Sequence, residues 1–222
     1  EKVMRVLKDV RVTVYTCNAR RLSNKMGVLA HDAQSLKLDV IHISEAGVGP
    51  EKPMGLSGYT VLTLERSGPN RGSVMYVKNY LYNRILRIYD VNEEKEKSGA
   101  EIIQIQIDTG PKTSIYRIYL ETGKSVEEKE HAHMMLKRRV DEDIKRGHNV
   151  MIMGDFNTPL NDLTNQPRNV ATEKLLQWEE TGDIRILNNK EIPTRKPDKS
   201  TEKANCIDIM AISKGLENYK LD

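Results

Sequence analysis

Eight segments of strand length recur along the chain, and only three stretches with a helical period interrupt them. The segments are RVTVYT (11–16), LDVIHIS (38–44), TVLTLE (60–65), SVMYVKN (73–79), EIIQIQID (101–108), TSIYRIYL (113–120), NVMIMG (149–154) and CIDIMAIS (206–213). All are rich in Val, Ile or Tyr, side chains that pack well on a pleated surface. EIIQIQID alternates cleanly, so one of its faces is wet or abuts something polar.

The helical stretches are equally legible. Asn24 to Lys37 places Met26, Leu29, Ala33 and Leu36 on one face. Ser125 to Arg146 opens with Ser125 and Glu128 spaced as a capping box, and Gly147 follows its last turn. Val170 to Thr181 is closed by Gly182 and carries Leu175, Leu176 and Trp178 near its buried side. Bunched strands with a few helices predict an α/β (α+β) fold, two layers of sheet packed face to face with helices outside. NEEKEKSG (92–99), between two strands, reads as a solvated hairpin tip. With no internal repeat and no low-complexity linker, residues 1–222 form one expected domain.

Composition removes several classes. Hydrophobic residues make up 38% of the 222 and charged residues 30%, the balance of a globular chain. No apolar stretch approaches the roughly 18–20 residues that span a bilayer, so no membrane partner is expected. The first ten residues, EKVMRVLKDV, are too charged for a secretory signal. The two cysteines, Cys17 and Cys206, sit in no CxxC pair, which argues against a structural zinc and for a reduced, intracellular compartment. The net charge of +3 is compatible with a nucleic-acid partner, and solvated surface charge alone explains it. Nothing in the sequence sets an oligomeric state.

The strand ends carry the chemistry. Asn18 closes the first strand and Glu45 the second, before a glycine turn. Tyr119 lies near the end of IYRIYL, MIMGDFN supplies Asp155 and Asn157, and Asp208 is embedded in an apolar strand. Turn chemistry explains each Asn or Asp singly, but a carboxylate inside a buried strand is costly unless it faces a positive or donating group. Together the carboxylates and carboxamides suit a hard divalent cation such as Mg²⁺, which takes oxygen ligands from only one or two carboxylates. The asparagines can orient a phosphate or a water without adding negative charge, and a tyrosine hydroxyl can hydrogen-bond charge developing on a phosphate. Such an apparatus suits metal-assisted phosphodiester cleavage.

At these residues the sequence resembles the endonuclease/exonuclease/phosphatase family, related to apurinic endonucleases and DNase I. The matches run in order from Asn18 through Glu45, Tyr119 and GDFN to CID. Within that family, TCNARRL, GDFNTPL and GDIRILNNKEIPTR…CIDIMAIS look most like the endonuclease domain of non-LTR retrotransposons, where a related LN…PT…S.ID pattern links the last helix to the last strands. The resemblance implies a DNase I-like four-layer α/β sandwich of two mixed sheets. It implies Glu45 as the main ligand for Mg²⁺, or Mn²⁺ in its place, with Asn18 beside it. Asp155 would align or activate the attacking water, Asn157 would hold the phosphate or water, and Tyr119 would contact the scissile phosphate. Asp208 would match the aspartate that orients a catalytic histidine. The partners implied are double-stranded DNA and the reverse transcriptase region of the same polyprotein, with action in the nucleus.

Two features depart from the family. The histidine lies in a Ser-Asp-His motif beyond the last strands, and the 222 residues contain no such motif. The family's Tyr-x-Pro-Asn reads YLET here, with Glu121 and Thr122 in place of Pro and Asn. Of the histidines, His42 reads as core within a strand, and His131 and His133, two apart on a helix, make a poor metal pair.

Thr122-Gly123-Lys124-Ser125 imitates the end of a P-loop, but the glycine required five residues before Gly123 is Ile118. Among basic residues, Arg20 and Arg21 follow Asn18 after a single alanine and are placed to meet backbone phosphates. Lys137 to Arg139 read as a solvated helix face. Arg195, Lys196 and Lys199 lie in the long loop PTRKPDKSTEK, which suits a duplex groove and equally a surface connection. Three readings follow: a Mg²⁺-dependent DNA endonuclease whose nick leaves a 3′-hydroxyl for reverse transcription; an RNA exonuclease or other phosphoesterase of the same fold; and a non-catalytic DNA-binding module.

Overall fold

All eight apolar segments form strands, and each begins or ends within three residues of the stretch that its side chains define. The computed structural model describes residues 12–19, 21–47, 54–64, 72–90, 100–120, 123, 125–158, 160, 170–188, 194 and 206–216. The chain divides into two compact units, Glu1–Leu86 with Ile107–Gly110, and Arg87–Gln106 with Pro111–Asp222.

The first unit is built on a four-stranded mixed sheet. Its strands are β1 (Val14–Asn18), β2 (Val40–Ser44), β3 (Tyr59–Leu64) and β4 (Ser73–Lys78), in the order β1-β2-β4-β3. β1 and β2 run parallel, which requires a crossover, and helix α1 (Met26–Ser35) lies between them in sequence. The other two pairings are antiparallel. All five residues of β2 are buried, as a central strand covered on both faces requires. Leu29 and Ala33 of α1 join Leu22, Leu38, Ile41, Ile43, Val74 and Tyr76 in one core, with Met26 packed against it. Leu36 does not join them. It is the C-cap residue, past the last helical turn, and is 55% exposed. A short helix, α2 (Asn79–Tyr82), follows β4.

The second unit carries most of a six-stranded mixed sheet in the order β5-β6-β7-β8-β10-β9. Its strands are β5 (Ile85–Asp90), β6 (Ala100–Asp108), β7 (Lys112–Leu120), β8 (Asn149–Asp155), β9 (Ile184–Ile186) and β10 (Asp208–Ser213). β7 and β8 are parallel, and helix α3 (Val126–Lys145) joins them; β10 is antiparallel to both β8 and β9. The expected capping box is present. Ser125 Oγ accepts the amide of Glu128, and the Glu128 carboxylate accepts the amide of Ser125 at 2.9 Å. Gly147, with φ of 77°, ends α3 as a left-handed terminus.

Ala132, Leu136 and Val140 of α3, and Leu175 and Trp178 of α4 (Val170–Glu180), pack on Tyr116, Ile118, Leu120 and Ile152. The polar face of EIIQIQID meets the C-terminal end of α3. There the buried Asp143 accepts Gln104 Nε2 at 2.6 Å and the Tyr116 hydroxyl at 2.8 Å, so the glutamines pin the helix to the sheet. Burial, and then this hydrogen bond to Asp143, push the Tyr116 hydroxyl's pKa upward. The hairpin tip expected at 92–99 lies outside the described residues.

Candidate active site

The polar residues at strand ends fall into two groups, one in each unit. In the second unit, Tyr119 on β7 is the register partner of Asp155 on β8, and Asp155 is the register partner of Asp208 on β10. Register partners share a sheet face, so three functional side chains from three adjacent strands stand in one row. Asp155 is 2% exposed, while Tyr119 and Asp208 are half-buried. Asp208 differs here from the sequence expectation. The strand begins at Asp208 itself, so the residue heads β10 instead of lying within it, half-buried overall and with its Oδ1 out of solvent.

Gly154 makes the row possible. Its φ is 142°, and a Cβ at that position would lie 1.9 Å from the carbonyl oxygen of Ile118 on β7. Only glycine meets both demands, the backbone twist and the close approach of β7. The chain then turns through an Asx motif in which the Asn157 amide donates to Asp155 Oδ1 at 2.8 Å. Asn157 itself has φ of 44°, tolerable for asparagine. Its side-chain amide donates to the carbonyl of Leu120, 2.6 Å away, and this partner fixes which way the carboxamide is turned. Asn157 therefore ties the loop to the end of β7, one residue past Tyr119.

Asp208 is held by two residues to which sequence reasoning gave no role. Thr194 Oγ1 accepts the amides of Ile207 and Asp208, each at 3.0 Å. Asn188 brackets the same strand start, donating to the carbonyl of Asp208 at 2.8 Å and accepting the amide of Met210 at 2.7 Å. These are the Asn and Thr of the LN…PT…S.ID pattern, in which Cys206 fills the unspecified position before Ile207 and Asp208. Burial raises the pKa of Cys206, and the Asp208 charge adds to the shift, so the thiol stays protonated.

In the first unit, Asn18 ends β1 and is the register partner of Ser44, the last residue of β2. Glu45 follows. The pairing continues beyond the strands, with the amides of Ala19, Arg21 and Leu22 donating to the carbonyls of Ser44, Glu45 and Ala46 at 3.0, 2.9 and 2.8 Å. Strand alternation would set Asn18 and Glu45 on opposite faces. Glu45 breaks that alternation by taking a left-handed backbone, φ 50°, a costly choice for a glutamate. Lys25, another residue that sequence reasoning passed over, donates from Nζ to the carbonyl of Ala19 at 2.5 Å, bringing a cation beside the end of β1. Arg21 is exposed; Arg20, Arg195, Lys196 and Lys199 lie outside the described residues.

Among the described residues no group of three or more His, Cys, Asp or Glu side chains is arranged to hold a metal ion. The pair Asn18 and Glu45 offers one carboxamide and one half-buried carboxylate at adjacent strand ends. That donor set suits Mg²⁺, which binds through one or two carboxylates and keeps several waters. It lacks the histidine and cysteine donors that dominate zinc sites.

The described histidines lie elsewhere. His42 is fully buried in β2, with Nδ1 3.0 Å from Thr16 Oγ1. His133 packs its ring against Phe156 at 5.6 Å. His148 approaches Asp143 at 3.4 Å.

No family model and no curated protein matches the sequence. Solved structures do match the fold. The endonuclease domain of TRAS1, a telomere-specific non-LTR retrotransposon, is similar with a TM-score of 0.63 and 16% identity over 93% of this chain and 87% of the other. An AP endonuclease from Archaeoglobus fulgidus gives a TM-score of 0.65 and 14% identity over 93% and 88%. The 3′ phosphatase NExo from Neisseria, bound to a product DNA hairpin, gives 0.66 and 9% over 92% and 87%. The two mixed sheets with their helices thus have the DNase I-like fold of the endonuclease/exonuclease/phosphatase proteins.

Proposed function

We propose that this chain is the Mg²⁺-dependent DNA endonuclease domain of a non-LTR retrotransposon polyprotein. The observation that carries the reading is the row Tyr119–Asp155–Asp208, closed by Asn157 on a loop that Gly154 makes possible. It offers two carboxylates to orient a water and a phenol and a carboxamide to hold a phosphate. In-line attack of that water on phosphorus breaks the P–O3′ bond, leaving a 5′-phosphate and a 3′-hydroxyl.

Asp155 aligns or activates the water, Asn157 holds the water or phosphate, and Tyr119 donates to a phosphate oxygen. Asp208, held by Thr194 and Asn188, supplies the second carboxylate of the row. Glu45 and Asn18 would hold Mg²⁺, or Mn²⁺ in its place, which would supply polarisation of the phosphate or of the leaving oxygen.

The likeness to the TRAS1 domain supports the retrotransposon assignment, as do the sequences around Asn18 and Asp155. The AP endonuclease and the DNA-bound NExo support double-stranded DNA as substrate. In this reading the reverse transcriptase region of the same polyprotein extends the nick, in the nucleus. No helix among the described residues is long and apolar enough to cross a membrane.

The test is incubation of supercoiled plasmid with Mg²⁺ or with EDTA, then addition of a DNA polymerase and labelled nucleotides. Mg²⁺-dependent open circles that the polymerase extends are expected. Absence of nicking overturns the endonuclease reading, and nicks that cannot be extended overturn the priming role.

A further inference from the structure

Among the described residues the largest fully buried side chain is a charged one, Arg117 of β7. Its Nη2 donates to Glu101 Oε2 of β6 at 2.9 Å, and Glu101 is itself only 4% exposed. The strands on either side of the pair present apolar neighbours. Ile115, two residues earlier on the same face of β7, and Met153, the register partner of Arg117 on β8, are both buried. Taking two ions out of water can cost more than their attraction returns, and a well-packed apolar pair of similar volume is often neutral or stabilising in their place. The sheet alone therefore gives no reason for this pair.

Its position gives one. Side chains two apart on a strand share a face, so Arg117 stands on the face of Tyr119, roughly 7 Å down β7. Met153 stands in the same relation to Asp155 on β8. Arg117 is thus one step below the Tyr119–Asp155–Asp208 row and diagonal to Asp155, about 7–8 Å away between backbones. The strand order β6-β7-β8-β10 then sets the signs: Glu101 negative, Arg117 positive, Asp155 and Asp208 negative. The cation belongs to the strand next to the carboxylates, and its counter-ion to the strand beyond. Buried among apolar side chains, that charge is felt farther than it would be in water.

We infer that Arg117, held by Glu101, is a positioning residue for the row. Its buried charge offsets the repulsion between Asp155 and Asp208 and keeps the two carboxylates in place for turnover. It acts on the row and not on the substrate, so its loss should slow cleavage and leave duplex binding alone. This inference rests on the nuclease reading.

The experiment compares the wild-type chain with the apolar double variant Glu101→Leu/Arg117→Met and with Arg117→Lys. It reads the unfolding midpoint, the affinity for a fluorescein-labelled DNA duplex in EDTA, and kcat and KM for plasmid nicking in Mg²⁺. The double variant is expected to melt at or above the wild type, to bind duplex as the wild type does, and to lose roughly tenfold or more in kcat at unchanged KM. Arg117→Lys, which keeps the charge, should nick faster than the double variant. Wild-type kcat in the double variant reduces the pair to scaffold and overturns the inference. A lower unfolding midpoint also overturns it, because the sheet then needs the pair. Parallel losses of duplex affinity and kcat would place Arg117 in substrate contact, and an Arg117→Lys chain no faster than the double variant would rule out its charge as the cause. A wild-type chain that does not nick overturns the nuclease reading itself, so the two failures are distinct.

Discussion

Asp155 and Asp208 face each other across the antiparallel β8–β10 ladder as direct register partners. Like charges directly opposite one another destabilise a sheet, so this pairing belongs to the site and not to the scaffold. Asp208→Asn is therefore expected to melt at or above the wild-type temperature, a gain of up to about 1 kcal/mol, while abolishing cleavage. Asp208→Ala, which removes the hydrogen-bonding group as well, should melt below Asp208→Asn. Thermal denaturation alongside a nicking assay reads both effects. A variant that melts lower than wild type and still cuts would contradict the role given to the pair.

The glycine before Asp155 should tolerate nothing larger. In Gly154→Ala the new methyl group meets the Ile118 carbonyl, and the φ of 142° is strained for any side chain. A loss of about 3 kcal/mol or more in urea unfolding is expected. Wild-type stability in that variant would show that β7 and β8 do not approach so closely.

Thr194 and Asn188 act on Asp208 through its backbone. Asn188→Ala removes a donor to Asp208 and an acceptor for Met210, and Thr194→Ala removes the acceptor shared by Ile207 and Asp208. Each should cost about 1–2 kcal/mol of stability. Turnover should fall more than duplex binding, because Asp208 is displaced while phosphate contacts remain. Equal losses in turnover and binding would assign these residues to substrate contact instead.

Acid should loosen the packing behind the Asp155 loop. His133 is 5% exposed and stacks near Phe156; burial first, then the charges of Lys174 and Lys129, lower its pKa from 6.5 to about 4. Between those values the unfolded chain binds a proton that the folded chain refuses, so stability falls as pH drops from 6.5 toward 4. The loss reaches up to about 3 kcal/mol and levels off below the folded pKa. Comparing unfolding midpoints of wild type and His133→Leu across this window isolates the effect. Parallel curves would show that His133 takes up its proton equally in both states.

The strand ends were legible because a polar residue after an apolar run has few reasons to be there. Asn18, Asp155 and the Gly154 turn stand where the sequence puts them. What the sequence hides is backbone handedness. Asn157 is a residue known to accept a left-handed φ, but nothing in the letters Arg21 or Glu45 announces one, because the cost is met by hydrogen bonds from a neighbouring loop.

Two strands carry little signal in the sequence. β5 exposes Leu86 and Ile88 at an edge of the sheet, so its pattern lacks an inward polar alternation; β9 is three residues long, too short for any period. Spacing alone puts Leu36 on the buried face of α1, and the helix ends before reaching it. Thr194 and Asn188 stand 14 and 20 residues before Asp208, a separation at which only the fold reveals a hydrogen bond.

The most direct measurement of the central claim is nicking of supercoiled plasmid in Mg²⁺ by the wild-type chain and by Glu45→Ala, with circular dichroism confirming that both are folded. The account predicts open circles from the wild type and none from the folded variant. Full nicking by Glu45→Ala would contradict the assignment of Glu45, and with it the metal-dependent site.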